Sequence, residues 1–208
     1  EEREEYSVVW GPDLEPADAR LAVPGEHNRR NAACALAALE LAGIPKTDAL
    51  AALRGFTGAG RRFALRGESS GVRVYDDYAH HPTEVAATLA TTRALAGPGR
   101  IVAVFQPHLY SRTAYLAHEF ATALAHADVA VVTEIYPARE EPWPGVSGKL
   151  IVDRLTEVRP GMPVGWAPAL NDAVVLAAER VRAGDIVLTL GAGDVDTIGP
   201  AILKRLER

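Results

Sequence analysis

Cysteine is almost absent. Cys34 stands alone in 208 residues, so no disulfide can form within the chain, and a reducing compartment suits it best. Its place in an alanine-rich run reads as a small core residue of a helix. An excess of positive charge is missing too: lysine and arginine number 22 against 27 aspartates and glutamates, a formal net charge of -5. That leaves no electrostatic footprint for nucleic acid or for an anionic membrane, and any phosphate-bearing ligand must be met by individual arginines. No apolar run reaches membrane-spanning length, and the N-terminus lacks the basic and apolar regions of a secretory signal. The chain is therefore expected in the cytoplasm, with no nucleic acid and no membrane among its partners; nothing in it assigns an oligomeric state. It also opens without methionine, on the strand-like "EEREEYSVVW", as a piece of something longer would.

What the chain does have is an ordinary globular share of apolar residues, 48%, set in short β-branched runs that alternate with longer helical patterns. Strands are predicted at 72–75, 101–105, 129–133, 163–166 and 186–190, and helices at 82–95, 113–125, 146–158, 170–181 and 197–206. Glycines in "RALAGPGR" and "VRAGD" stop a helix before the next strand. Such alternation calls for parallel pairing with right-handed crossovers, so the fold class is α/β, a doubly wound, mostly parallel sheet. Upstream, 28–41 reads as a helix and "KTDALAALRGF" as a second one capped by Thr47 or Asp48. The Gly-rich "TGAGRR" then marks a boundary near Gly58 to Gly60. A domain over 61–208 thus follows a helical stretch, 1–60, too short to be a complete domain of its own.

Polar clusters follow four of the predicted strands: "DDYAHHP", "QPHLYSR", "EIYPARE" and "GAGD". In an open parallel sheet these ends share one edge, where ligands bind. Each cluster has a plainer reading beside the functional one. Asp76 and Asp77 suit solvated turn residues as well as a pocket lip, and Pro82 suits the first residue of a helix. His108 and Tyr110 could be packing residues, but Arg112 at a helix start is unfavourable for the helix dipole, which points it towards a ligand. "EIYPARE" has ordinary loop composition. "GAGD" is either a tight turn or a place where backbone amides meet an anion. Upstream, Asn28 and Asn31, next to His27, are three apart on a helix start and could cap it or pair with an adenine edge. Arg62, just past the joint, could be solvated or reach a phosphate. "GVSGKL" imitates the end of a phosphate loop, but its glycine spacing is too short and Leu150 replaces the required Ser or Thr.

The set of motifs resembles the Mur ligase family. "GEHNRRNAACALAA" is similar to its His-Asn-x-x-Asn-Ala helix start, "GRRF" to its Arg-Arg-Phe joint, and "DDYAHHPTEV" to its Asp-Asp-Tyr-x-His-His-Pro-Thr-Glu motif. "VFQPHLYSRT" and "GAGD" complete the likeness, the former resembling the alanine-adding branch. The resemblance implies that 1–60 is the helical remnant closing a central ATP-binding domain and that 61–208 is a Rossmann-like C-terminal domain. It further implies an ATP-dependent, ADP-forming ligase of peptidoglycan precursor synthesis, joining L-alanine to UDP-N-acetylmuramate through an acyl phosphate, with ATP and Mg²⁺ as cofactors. By the same resemblance His27, Asn28 and Asn31 would lie at the adenine, Arg62 at the ATP phosphates and Asp77 at the ribose. His81, His108, Tyr110 and Arg112 would face the amino acid and the muramyl carboxylate. Arg62, Asp77 and Arg112 are the expected catalytic residues, and Asp76 and His80 supports. Leu109 departs from the family's frequent arginine, which shifts load onto Arg112. Lacking the phosphate loop and the UDP-binding domain, the chain alone is expected to be inactive. Two alternatives are a ligase that recycles murein tripeptide and a metal-dependent phosphoesterase using Asp76, Asp77, His80 and His81. Strand alternation argues against the second, because adjacent residues point to opposite faces.

Overall fold

Three of the predicted strands, β3 (Ile101–Phe105), β4 (Val129–Val132) and β6 (Ile186–Leu190), are buried at every position. Unbroken apolar runs of this kind arise when helices cover both faces of a parallel sheet. This computed structural model describes residues 21–207, and the chain divides into two compact units after Gly58. The strand-like start at 1–10 lies outside the described residues.

In the second unit β1 (Ala64–Ser69), β2 (Val72–Asp77) and β5 (Val164–Trp166) complete a six-stranded sheet in the order β1-β2-β6-β3-β4-β5. β1 is antiparallel to β2, and every other pairing is parallel. Helices α3 (Pro82–Ala96), α4 (Tyr110–Leu124) and α5 (Lys149–Val158) pack on one face with Ile101, Ala103 and Phe105. Helices α6 (Leu170–Ala178) and α7 (Ile198–Leu206) pack on the other with Val102 and Val104. The chain reaches β6 last and inserts it between β2 and β3. The connections after β2 and β3 therefore leave towards one face and that after β6 towards the other, which opens a crevice at the strands' C-terminal ends.

The sequence reading missed β1, a polar edge strand half open to solvent. The turn joining it to β2 carries left-handed φ at both central residues, Ser70 (51°) and Gly71 (74°), as two-residue hairpins require. Other boundaries move as well. β2 runs on to Asp77, so Asp76 and Asp77 are strand residues and not turn residues. α4 starts at Tyr110 rather than at 113, α5 starts at Lys149 rather than at 146, and a 3₁₀ turn, Asp194–Thr197, precedes α7.

In the first unit α1 (Glu26–Leu41) starts two residues ahead of Asn28, and α2 (Lys46–Arg54) has Pro45 at its N-cap, so Thr47 and Asp48 lie inside its first turn. Ala32 and Ala33 pack against Leu21, Leu36 and Leu53. Cys34, expected in a core, is exposed, because it falls off that narrow stripe of α1. Among the described residues no helix is long and apolar enough to cross a membrane.

Candidate functional site

The two aspartates that close β2 are buried and turn to opposite sides, as strand neighbours must. Asp76, 0% exposed, accepts at Oδ2 from Arg61 Nε and Arg66 Nη2, both at 3.0 Å, and at Oδ1 from Thr189 Oγ1 at 2.7 Å. Arg61 also donates to the carbonyl oxygens of Gly193 (2.8 Å) and Gly191 (2.7 Å), tying the joint to the loop after β6. Asp77, 4% exposed, accepts from the amides of Phe63 (2.7 Å) and Ala79 (2.8 Å) and from Thr88 Oγ1 (3.4 Å). The carboxylate expected at a ribose is thus engaged with its own chain, bracing the joint against the loop after β2. Arg61 and Phe63 both sit at left-handed φ, 57° and 50°, a conformation that non-glycine residues hold only under such restraint. Between these two pinned residues Arg62 is exposed, its guanidinium 5.6 Å from the centroid of the Tyr78 ring.

The two histidines have different surroundings. His81 is exposed and caps α3: its Nδ1 accepts from the Thr83 amide (3.3 Å), while Glu84 accepts from the amides of His80 (3.0 Å) and His81 (3.2 Å), a capping box ahead of Pro82. Burial pushes the Glu84 carboxyl up, but those amides and the charges of His80 and Arg62 outweigh it and hold it below its ordinary value. His80 instead stands inside the cluster. Its Nδ1 donates to the Tyr78 carbonyl at 2.9 Å, and its ring meets Tyr78 and His108 edge-on at 5.3 and 5.7 Å. Removing the cap by His81→Ala is expected to lower stability by about 1 kcal/mol, and His81→Asn to restore most of it. Urea unfolding checks this, and an unchanged midpoint in the alanine variant would show that the ring does no capping.

The loop after β3 carries the remaining groups. Gln106 Nε2 donates to Asp194 Oδ1 (2.7 Å) and its Oε1 accepts the Val195 amide (3.1 Å), locking this loop to the one after β6. His108 pairs with Tyr136 of the loop after β4 through a backbone bridge, with the rings stacked 5.8 Å apart. Burial, followed by the charges of Arg112 and His80, pushes the His108 imidazole below its ordinary pKa, with Glu140 opposing. Its Nδ1 is buried and has no hydrogen-bond partner among the described residues, which leaves that nitrogen in reserve. Leu109 takes a left-handed φ of 72°. Tyr110, half-buried, and Arg112 then fall in the first turn of α4, and Arg112 Nη1 donates to the His80 carbonyl at 3.2 Å.

Two glycine motifs turn out to be structural. In "GAGD" the Gly191 amide donates to the Asp77 carbonyl at 3.1 Å, and the carbonyls of Gly191 and Gly193 accept from Arg61, which ties the loop to the end of β2 and to the joint. In "GVSGKL" Gly148 lies against the Thr133 carbonyl with no room for a Cβ, and its amide closes the loop on Glu134.

Loops after β2, β3, β4 and β6 therefore meet at one rim, gathering Tyr78, His80, His108 and Arg112, with Arg62 exposed beside Tyr78. Sequence reasoning missed Arg61, Tyr136 and Glu140 as contributors. The doubled arginine of "GRRF" was a usable signal for the first; the other two lie in "EIYPARE", which the strand pattern put on the edge but whose ordinary loop composition singled out neither residue. Asp76, Asp77, His80 and His81 have separate partners and do not converge as metal ligands. Among the described residues no three of His, Cys, Asp or Glu are grouped to hold a metal ion. In the first unit His27 is half-buried in the first turn of α1, Asn28 Nδ2 donates to the Pro24 carbonyl (2.6 Å), and Asn31 is exposed.

Residues 61–193 match the family described as Mur ligase, glutamate ligase domain. The chain is 53% identical over 192 residues to a UDP-N-acetylmuramate--L-alanine ligase of Saccharopolyspora erythraea, covering 92% of this chain and 39% of that protein. Among solved structures it is similar to UDP-N-acetylmuramate-alanine ligase MurC from Thermotoga maritima, at TM-score 0.71 and 32% identity, covering 89% of this chain and 39% of that one. It is also similar to a murein peptide ligase from Psychrobacter arcticus, at TM-score 0.71 and 26% identity, covering 91% and 39%. The chain spans about two-fifths of the length of these relatives. Its sheet order, its rim of loops and a family match over most of its length agree: the chain belongs to the Mur ligase family.

Proposed function

We propose that this chain is the C-terminal part of an ATP-dependent ligase that joins L-alanine to UDP-N-acetylmuramate. The observation that carries the reading is the reach of Arg112 across to the His80 carbonyl, which draws a guanidinium and two imidazoles together on one rim. Such a set suits a carboxylate and an amine: the guanidinium binds the anion, and an imidazole is placed to accept the proton that the amine nitrogen sheds as it attacks the activated carboxyl. Arg112 and His108 keep the substrate roles implied by the resemblance, with Tyr110 beside them. His80 joins them, and His81 acts through the helix it caps. Leu109 brings no charge, so Arg112 carries the anion alone on this turn.

Arg62 is suited to the ATP phosphates because its exposed side chain can move to an anion without breaking a bond of the fold. ATP would supply the phosphoryl group that activates the carboxylate. Asp77 acts through Phe63 and Ala79, setting the backbone on either side of these groups. The adenine contacts of His27, Asn28 and Asn31 rest on the resemblance. For Mg²⁺ the described residues offer no ligand cluster.

The test is ADP release from ATP and UDP-N-acetylmuramate by the full-length protein, which is expected to depend on L-alanine. The 208-residue chain alone is expected to release none. The equal TM-score of the murein peptide ligase favours murein tripeptide as the rival acceptor. Turnover with tripeptide and not with L-alanine would replace the proposed function with that one.

A further inference from the structure

The loop from β4 to α5 has the composition of ordinary surface sequence, yet it is clasped around the start of α4. Glu134 Oε1 draws its ends together by accepting the amides of Ile135 (2.9 Å) and Gly148 (3.0 Å). The Leu109 amide donates to the Tyr136 carbonyl (3.0 Å), and the Tyr136 amide to that of Pro107 (2.8 Å). Past Ala138, at a left-handed φ of 54°, the chain turns back and brings Glu140 to the first turn of α4. There one carboxylate oxygen accepts the Ser111 amide at 2.9 Å and the other accepts the Ser111 hydroxyl. Trp143 then meets Tyr115 of α4 edge-on, with centroids 6.1 Å apart.

First-turn amides have no partner inside their own helix, and Leu109 at the N-cap of α4 supplies no capping side chain. Glu140 provides the missing acceptor from another loop. It also sets a negative charge at the positive end of the helix, where Arg112 by itself is unfavourable. The Ser111 hydroxyl, its amide and the charge of His108 all hold the Glu140 carboxyl below its ordinary value.

We propose that Glu140 is a positioning residue: by gripping Ser111 it sets the first turn of α4, and with it the reach of Arg112 and the seat of His108. Its effect on turnover rests on the ligase function proposed above, whereas its effect on the first turn does not.

The experiment compares Glu140→Gln with the unaltered protein in two settings. In the 208-residue chain, NMR titration follows His108, which is faced by Arg112, His80, Tyr136 and Glu140. Loss of the negative charge is expected to move its midpoint down by roughly half a pH. In the full-length protein the KM for L-alanine is expected to rise about tenfold while that for ATP stays within about twofold. Ser111→Ala should shift both readouts in the same direction by less, and it carries the test if Glu140→Gln does not fold. An unmoved His108 midpoint overturns the proposal. A moved midpoint with an unchanged KM for L-alanine overturns its catalytic half. If the unaltered full-length protein shows no turnover that depends on L-alanine, the ligase function fails instead, and the histidine titration alone decides the role of Glu140.

Discussion

Asp76→Ala is expected to destabilise the second unit by about 3 kcal/mol, through two guanidinium groups left without their shared counter-charge. The carboxylate is wholly buried and satisfies Arg61, Arg66 and Thr189 at once. Its guanidinium partners keep some access to water, at 19% and 33% side-chain exposure. They can rehydrate in part, which places the loss at the low end of the range for a broken buried pair. Because Arg61 also holds two carbonyls of the loop after β6, the damage should spread to that loop. Asp76→Asn keeps the shape and the bond from Thr189 and should lose less. A double variant with Arg61→Ala should fall short of the sum of the single losses, since both break one network. Urea unfolding of the chain measures all of these, and a loss below about 1 kcal/mol for Asp76→Ala would show the network to be dispensable.

Arg112→Ala should behave in the opposite way. Its guanidinium makes a 3.2 Å bond to one carbonyl from a half-exposed position at a helix start, so its removal should leave the unfolding midpoint within experimental error and slightly relieve the helix dipole. In the full-length protein, kcat/KM for L-alanine should fall by about 100- to 1000-fold, the scale for deleting a charge that meets a developing anion. Lysine should recover little, because a point charge on a flexible stem cannot reproduce the planar fork. A fall of less than about threefold would remove Arg112 from the site. Stability lost at Asp76, and chemistry lost without stability at Arg112, would separate the scaffold of the rim from its working groups.

The parallel strands were legible because burial on both faces writes them as unbroken β-branched runs, as in "IVAVF" of β3. The rim was legible for a related reason: polar clusters placed straight after such runs have one place to go. β1 was not, since an edge strand half open to water needs no apolar pattern. Nor was the division of labour within "DDYAHHP". Whether an aspartate is solvated or buried depends on what reaches it, and Asp76 meets Thr189 from 113 residues away. The same holds for His80 and His81: a capping histidine and a site histidine are the same letter, and only the start of α3 at Pro82 tells them apart. Glu140 was hidden in the same way, because the donors it satisfies sit 29 residues earlier.

The place of β6 has a kinetic consequence. β6, one of the two middle strands of the sheet, is the last of the described strands in the chain, and it alone joins β2 to β3, β4 and β5. Until residues 186–190 are available, β2 and β3 each keep a row of open backbone groups with nothing to pair them. Every contact that seals them closes a long loop, and pairings so far apart in the chain are slow to form. β6 is thus a keystone: without it the two parts of the sheet share no pairing.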